Sequence, residues 1–399
     1  MARIPCVNVP AVIAPSRARV VRFTSFDDLA PYAQDWDRLS LDIPFRSWSW
    51  MSCWWRHYGG PPARGGRARR LCVLGVLDEA DRLIGVAPWY LDAGPWRGRV
   101  LRFLGSGEVC PEYLTVPAAP GREGPVAAAL ADWLTAARGP DAWDLLELTA
   151  VGDEDAAIAR LAQRLEAGGN LVHRRAGPSC WRIELPKSWD EYLATLSKQH
   201  RNHLRKAERR LLASGRAVVH RVQKPEDLPR CEQVLIALHQ ARWRALGQPG
   251  CFSSEQYTAF HSEAFGDLLA RGQLILFWIE LDGRPFLVEY LMAAGETVYH
   301  YQRGLDVSRL DDSPGRLGSI VALRLAIDGG YRVFDMLRGD EPYKAHFRAK
   351  PKACLEVRAV PALFPARIRH RIWLAGSSVK RRLAARRVGS HRHVVEAES

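Results

Sequence analysis

The chain has 399 residues and a formal net charge of +13, with 47% hydrophobic and 25% charged residues. That length allows two domains with cores of their own, and the ordinary composition excludes a disordered or fibrous chain. No run approaches the roughly 20 apolar residues that span a bilayer, and the eight cysteines, scattered without a CxxC pair, read as buried thiols of a reducing compartment with no disulfide frame and no metal site.

Residues 1–18, interrupted by Pro5, Pro10 and Pro15, read as a ragged N-terminus and not as a signal peptide. Asp28–Leu39 and Trp48–Tyr58 are expected helices. Leu71–Leu77 and Ile84–Tyr90 read as strands around Asp78-Glu79-Ala80-Asp81, Val100–Leu104 as a third strand, Val126–Arg138 as a helix and Trp143–Leu148 as a strand. Glycine and polar residues cluster at Gly168–Ser179, before a new strand starts at Trp181-Arg182-Ile183. They divide the chain into a domain over 19–172 and a second over 173–364.

Ser188-Trp189-Asp190-Glu191 is a capping box, a serine N-cap with a glutamate three residues on, and it opens a helix expected to reach Leu212. Leu196, His200, Leu204, Ala207 and Leu211 share one face; Lys198, Arg201, Arg205 and Arg209 share the other. Lys198 to Arg216 holds seven Lys/Arg against Glu208. The plainer reading of this ridge is a solvated face, and the functional one is a clamp for phosphates. A helix over Glu226–Leu246 ends in His239-Gln240-Ala241-Arg242-Trp243. That tryptophan and Phe252, Phe260 and Phe265 fit a core better than a stacking platform.

The second half then repeats the order of the first. Leu274–Leu281 and Phe286–Ala293 flank an Asp282-Gly283 hairpin turn, and Thr297–Arg303 is the next strand. Ser313-Pro314-Gly315 leads into a helix over Arg316–Asp328, stopped by Gly329-Gly330, and Val333–Leu337 is a short buried strand. Arg338-Gly339-Asp340-Glu341-Pro342-Tyr343-Lys344 closes the run. A glycine-containing turn that opens a helix offers backbone N–H groups to an anion, though an ordinary crossover would carry the same local pattern. Residues 365–399 read as a basic tail, partly helical at most. Residues 361–399 hold nine Lys/Arg against Glu396 and Glu398, with Ile368, Ile372 and Trp373 among the cations, a mix that suits either a solvated tail or a membrane surface.

Gly315, the helix ending near Gly329, Phe334-Asp335, and Arg338-Gly339-Asp340 with Tyr343-Lys344 resemble the signature of the CelD/BcsL-type acyltransferases. These belong to the GNAT superfamily of acyl-CoA-dependent N-acyltransferases. The likeness runs back through Ser188–Gly304 and more weakly to about Arg22. It implies an α+β fold, a tandem duplicated GNAT fold of two mixed sheets flanked by helices. A duplicated GNAT fold is also the architecture of the Fem-type peptidoglycan interpeptide ligases.

The resemblance implies acetyl-CoA or another acyl-CoA as co-substrate and no metal. Ser313, Gly315, Arg316, Leu317 and Gly318 would bind it, and the strand Thr297–Arg303 would present a backbone N–H to the thioester oxygen. Tyr343 would protonate the departing thiolate, and Lys344 could instead neutralise phosphate or thiolate charge. Glu112 is the expected base, because Gly105-Ser106-Gly107-Glu108-Val109-Cys110-Pro111-Glu112-Tyr113-Leu114 resembles the family's GSGxSDYxD turn with Glu for Asp. Lys198, Arg201 and Arg205 resemble the RxxIRxA-like helix of the Fem-type ligases and would hold an anionic substrate. Arg338 and Asp340 are expected to bind substrate as well. Asp335, Asp340 and Glu341 could equally be ion-pair partners of Arg338 and Lys344.

The function so implied is acyl transfer, expected to be acetyl, to a sugar or cell-envelope or exopolysaccharide precursor, directly within a ternary complex. Whether nitrogen or oxygen is acylated stays open. Two alternatives are a Fem-like aminoacyl-tRNA-dependent ligase and a non-enzymatic binder of nucleic acid or anionic membrane. The expected setting is cytoplasmic, with peripheral membrane contact through the tail. No GxSxG, HExxH, Walker or strand-linked GxGxxG motif supports another chemistry.

Overall fold

A computed structural model describes residues 18–41, 43–60, 69–94 and 96–374. The first half runs β1 (Arg19–Phe23), α1 (Ala33–Leu39), α2 (Trp48–Tyr58), β2 (Arg70–Leu77), β3 (Leu83–Gly94), β4 (Gly98–Phe103), α3 (Glu123–Ala136), β5 (Leu145–Gly152), α4 (Ala156–Ala167) and β6 (Leu171–Ala176). The second half begins with β7 (Cys180–Glu184), α5 (Trp189–Thr195), α6 (Lys198–Ala207), β8 (Ala217–Arg221), α7 (Leu228–Ala245) and α8 (Glu255–Ala270). It continues with β9 (Leu274–Leu281), β10 (Arg284–Ala294), β11 (Thr297–Leu305), α9 (Pro314–Asp328), β12 (Val333–Arg338), α10 (Tyr343–His346), β13 (Lys350–Lys352) and β14 (Cys354–Val360). A last helix, α11, spans 364–374.

The repeated run is present twice, as β2-β3-β4-α3-β5 and β9-β10-β11-α9-β12, and every strand overlaps its expected range. Local chemistry sets many of the ends. Ser47, Asp155, Ser188 and Ser254 each accept a first-turn backbone N–H at the starts of α2, α4, α5 and α8. Asp282 (φ 54°) and Gly283 (φ 77°) supply the left-handed pair that a two-residue hairpin needs between β9 and β10.

Two seven-stranded sheets result, ordered β1-β2-β3-β4-β5-β14-β6 and β8-β9-β10-β11-β12-β7-β13. Among the described residues every pairing is antiparallel except β4 with β5 and β11 with β12. Position for position the sheets are copies, but the strand beside the parallel pair is exchanged. β7 follows β6 in the chain and pairs with β12 in the second sheet, whereas β14 follows β13 and pairs with β5 and β6 in the first. A cut near residue 172 therefore follows the chain and not the sheets.

The helix expected from Trp189 to Leu212 is broken. Leu196 (ψ 157°) and Ser197 (ψ 150°) are extended, and Ser197 Oγ accepts the His200 N–H at 3.2 Å as a new N-cap. The end of that segment, Glu208–Leu212, widens into a π-turn. The break rotates α6 about its axis and decides which of its faces meets the rest of the second half.

Helix α11, all but its first residue expected in the tail, docks on the first half. Ala366 joins Val100, Leu145 and Val360 in a small apolar cluster, and His370 is buried beside it. Residues 375–399, like 1–17, lie outside the described residues. Among the described residues no helix is long and apolar enough to cross a membrane.

Candidate active site

Pairing of β11 with β12 ends at Tyr299 opposite Asp335, and a bulge takes Tyr301 out of register with β10. Where the strands part, a cavity of about 670 Å³ opens. Its wall is built from the start of α6, the end of α7, the N-terminus of α9 and the turn around α10. Arg242, Arg303, Arg316, Arg338 and Arg348 line it against a single carboxylate, Glu341, so the space favours anions.

The N-terminus of α9 faces this cavity without a side-chain cap. Ser313 holds a left-handed conformation (φ 55°, ψ 61°) that costs a serine about 1 kcal/mol, and it turns the chain sharply into the helix. Pro314, in the first turn, has no N–H to leave unsatisfied. Gly315 lies against Arg303: a Cβ there would stand 3.3 Å from that guanidinium. Orphan N–H groups, the helix dipole and the Arg316 side chain thus converge on one end of the cavity.

Below lies a polar group buried in an apolar strand. Glu289 interrupts the apolar run of β10 and is fully buried. Its two oxygens take Arg303 Nε at 2.7 Å and His300 Nε2 at 2.7 Å. Burial works to raise its pKa, yet the charges and hydrogen bonds of Arg303 and His300 outweigh that and hold it below the ordinary value. Arg303 also donates to Ser319 Oγ at 3.0 Å, which ties the group to α9. His300 lines the cavity, its ring oriented by the carboxylate. Sequence reasoning missed this pair; the available signal was a lone glutamate in the middle of Phe286–Ala293.

The expected cofactor residues divide. Ser313, Gly315 and Arg316 line the cavity, whereas Leu317 is buried in the core. Gly318 is a spacer, since a Cβ there would fall on the Glu289 carboxylate. Tyr343 and Lys344 both reach the cavity, but Lys344 is committed. Its ammonium donates to the carbonyls of Leu337, Arg338 and Gly339 at 3.2, 2.9 and 3.0 Å and pairs with Glu341 at 3.0 Å. It therefore clamps the turn after β12 instead of standing ready for phosphate. Asp340 accepts from Trp181 Nε1 at 3.1 Å and is not among the lining residues.

Lys198, Arg201 and Arg205 are not on the cavity wall either. The helix break presents Ser197, Gln199, His200 and His203 there instead, and Arg205 lies 3.9 Å from Asp190. Burial, with Arg316, His346 and His203 nearby, pushes the His200 pKa down to about 4, so this imidazole is neutral near pH 7. Trp243 also lines the cavity, while Phe252, Phe260 and Phe265 are core.

Glu112 lies at the seam between the halves, buried and paired with Arg338, whose guanidinium also faces the cavity. Burial pushes its pKa up to about 7 against the pull of Arg338. The next residue, Tyr113, donates to Asp335 at 2.6 Å, and Tyr301 donates to the Val109 carbonyl. The turn expected to carry a base thus fastens the halves together. Glu112, Cys180 and Cys354 bring one possible metal-ligand atom each within 4.8 Å, as do Cys53, His57 and Glu263, although Glu263 already pairs with Arg56 and His57.

Among the described residues the first half shows a smaller opening at the matching place, about 300 Å³, lined by Arg102, Glu147 and Thr149. The loop after β4 folds over the β4–β5 divergence, with Leu114 N–H bonded to the Ala150 carbonyl at 3.0 Å and Leu104, Val109 and Leu114 buried. The first turn of α3 carries Glu123, whose carboxylate takes the Gly121 N–H. An anion would meet that carboxylate.

Two copied mixed sheets, a divergent parallel pair and an uncapped helix at its mouth define a tandem GNAT-type acyltransferase fold. Residues 198–345, which supply most of this cavity's wall, match the family model of the acetyltransferase (GNAT) domain. No curated protein matches the chain in sequence. Among solved structures the chain is similar to FemX, at 12% identity and a TM-score of 0.58, over 85% of this chain and 96% of that one. It is also similar to the C-terminal domain (DUF2156) of a protein assigned as a lysylphosphatidylglycerol synthetase from Agrobacterium fabrum, at 12% identity and a TM-score of 0.50, over 86% and 95%. A tandem GNAT protein from the clavulanic acid biosynthesis pathway aligns at 14% identity with a TM-score of 0.49, over 86% and 98%.

Proposed function

We propose that the protein is an acyl-CoA-dependent N-acyltransferase of the CelD/BcsL type, transferring acetyl to an amine of a sugar or cell-envelope polysaccharide precursor. The observation that carries this reading is the meeting of two features in one cavity: an uncapped helix N-terminus among arginines, and a histidine held by a buried carboxylate. The first would take the pyrophosphate of coenzyme A, with Gly315 letting it approach the backbone. The acyl thioester would then lie along β11, whose unpaired edge beyond Tyr299 offers backbone N–H groups to the developing oxyanion.

In this reading His300 takes the proton from the acceptor amine as nitrogen attacks the thioester carbon. Glu289 holds the ring and stabilises its charge. The carbon–sulfur bond breaks, and Tyr343 gives its proton to the leaving thiolate. No covalent enzyme intermediate is required. Arg338 and Arg348 line the remaining wall and would hold an anionic acceptor.

Calorimetric titration with acetyl-CoA at two salt concentrations tests the proposal. Saturable binding that a Gly315→Trp variant loses is the expected result. Absence of binding to acetyl-CoA and to longer acyl-CoAs would overturn it. Lys198, Arg201 and Arg205, which face away from the cavity, keep a second reading in view, a ligase that takes its acyl group from charged tRNA. Retention of charged tRNA, lost on substituting those three, would select it.

A further inference from the structure

Helix α11 shows an apolar face to solvent where a surface helix normally shows a polar one. Ala366, His370 and Trp373 face the body of the first half, and Trp373 stacks on Arg358 at 3.8 Å and on Arg97 at 5.3 Å. On the opposite side Phe364, Ile368 and Ile372, four residues apart, form one row with exposures of 76%, 41% and 65%. Arg367 and Arg371 are exposed between them. Next to Arg97, and so close to Trp373, Trp96 stands 84% exposed in the β3–β4 hairpin. α11 thus carries an apolar row flanked by exposed arginines, and an exposed tryptophan stands near its C-terminal end.

We propose that this surface docks on an anionic lipid bilayer, with α11 lying in the interface and Phe364, Ile368, Ile372 and Trp96 entering the acyl boundary. Charge decides the occupant. The following residues carry Lys380, Arg381, Arg382, Arg386 and Arg387, so covering the row with this chain's own tail, or with a second copy of the same surface, would bring cations against Arg367 and Arg371. Anionic headgroups neutralise both sets. Nucleic acid would satisfy the cations but leave three large apolar side chains in water. An amphipathic helix with cations beside its apolar row and a tryptophan at headgroup depth is the arrangement an interface binds. The inference is independent of the acyltransferase reading, because none of these residues lines the cavity.

The test is flotation of the full chain with phosphatidylcholine vesicles, with and without phosphatidylglycerol. Binding is expected only with the anionic lipid. Arg367→Gln and Arg371→Gln should each lower the partition coefficient about fivefold. The triple change Phe364→Glu, Ile368→Glu, Ile372→Glu should lower it at least about a hundredfold, from lost apolar burial. A chain ending at residue 374 should keep the dependence on the row, which separates α11 from the general basicity beyond it. Unchanged melting temperatures would show that these variants fold. Vesicle binding that survives the triple change, binding absent from the wild type, salt-sensitive capture of duplex DNA unaffected by that change, or a dimer it dissociates would each overturn the proposal.

Discussion

Glu289 and His300 meet diagonally across adjacent strands, Oε2 to Nε2 at 2.7 Å, with the carboxylate fully buried and its other oxygen held by Arg303. A buried charge is tolerated only when paired, so the position is costly to keep without a use. We predict that Glu289→Gln lowers kcat about a hundredfold or more, the scale of a misplaced general base, with little change in KM for acetyl-CoA. Thiol release from acetyl-CoA with an amine acceptor measures it. An unchanged kcat would remove His300 from the mechanism.

Gly318 offers a way to disturb the same pair from outside the cavity. Gly318→Ala places a methyl on the Glu289 carboxylate, which must move and release His300 or Arg303. The expected outcome is a kcat loss like that of Glu289→Gln, while Gly318→Ala binds acetyl-CoA as the wild type does. Calorimetry and turnover on one preparation check both halves of this prediction.

Lys344 should behave as a structural residue. Lys344→Met leaves the carbonyls of Leu337, Arg338 and Gly339 without their donor, a loss of about 3 kcal/mol of stability. Denaturant titration would show a lower midpoint with unchanged slope. If Lys344→Met keeps wild-type stability and loses only turnover, the lysine belongs to the chemistry after all.

Glu112 makes stability depend on pH. Its pKa in the fold is about 7, raised by burial, so between roughly pH 4.5 and 7 the native state binds more protons than the unfolded chain. Stability from this group is therefore greatest below pH 4.5 and falls as pH rises to 7, by about 3 kcal/mol in all. Glu112→Gln cannot titrate. The wild type minus variant difference in melting temperature should decline across that window and level off above it. A flat difference would show that Arg338 keeps the carboxylate ionised throughout.

The exchanged strands carry their own consequence. Cys180 opens β7 and Cys354 opens β14, and their sulfurs lie 3.6 Å apart where the strands change sheets. A chain ended at residue 353 loses the strand between β5 and β6, although these lie far upstream, at Leu145–Gly152 and Leu171–Ala176. We predict that this truncation abolishes the cooperative melt of the first half. Rapid proteolysis within residues 145–176 would report it, and protection equal to the full chain would refute the coupling.

Much of the fold was legible because its signals are local. Short apolar runs bounded by turns marked the strands of both repeats, Asp282-Gly283 the hairpin, Ser188 the start of α5, and Gly329-Gly330 the end of α9. The residues that carry the family resemblance, Arg338-Gly339-Asp340 and Tyr343-Lys344, fall at the end of β12 and in the turn after it, beside the cavity. The resemblance could not separate Tyr343, on the cavity, from Lys344, spent on three carbonyls, because adjacent residues leave a turn in different directions.

What the sequence by itself determined is the elements of the repeated run, their duplication and the position of the helix that opens at Ser313, since caps, turns and periodicity act over a few residues. Partnerships across the chain were decided by the tertiary structure. Glu112 and Arg338 meet through the seam, β14 returns to β5, and the break at Leu196–Ser197 turns the arginine face of α6 away from the cavity and its histidines toward it. Glu289 and His300 join this second group: register sets Glu289 opposite Arg303, and the bulge at Tyr301 brings His300, opposite Leu291, onto the same face of the sheet.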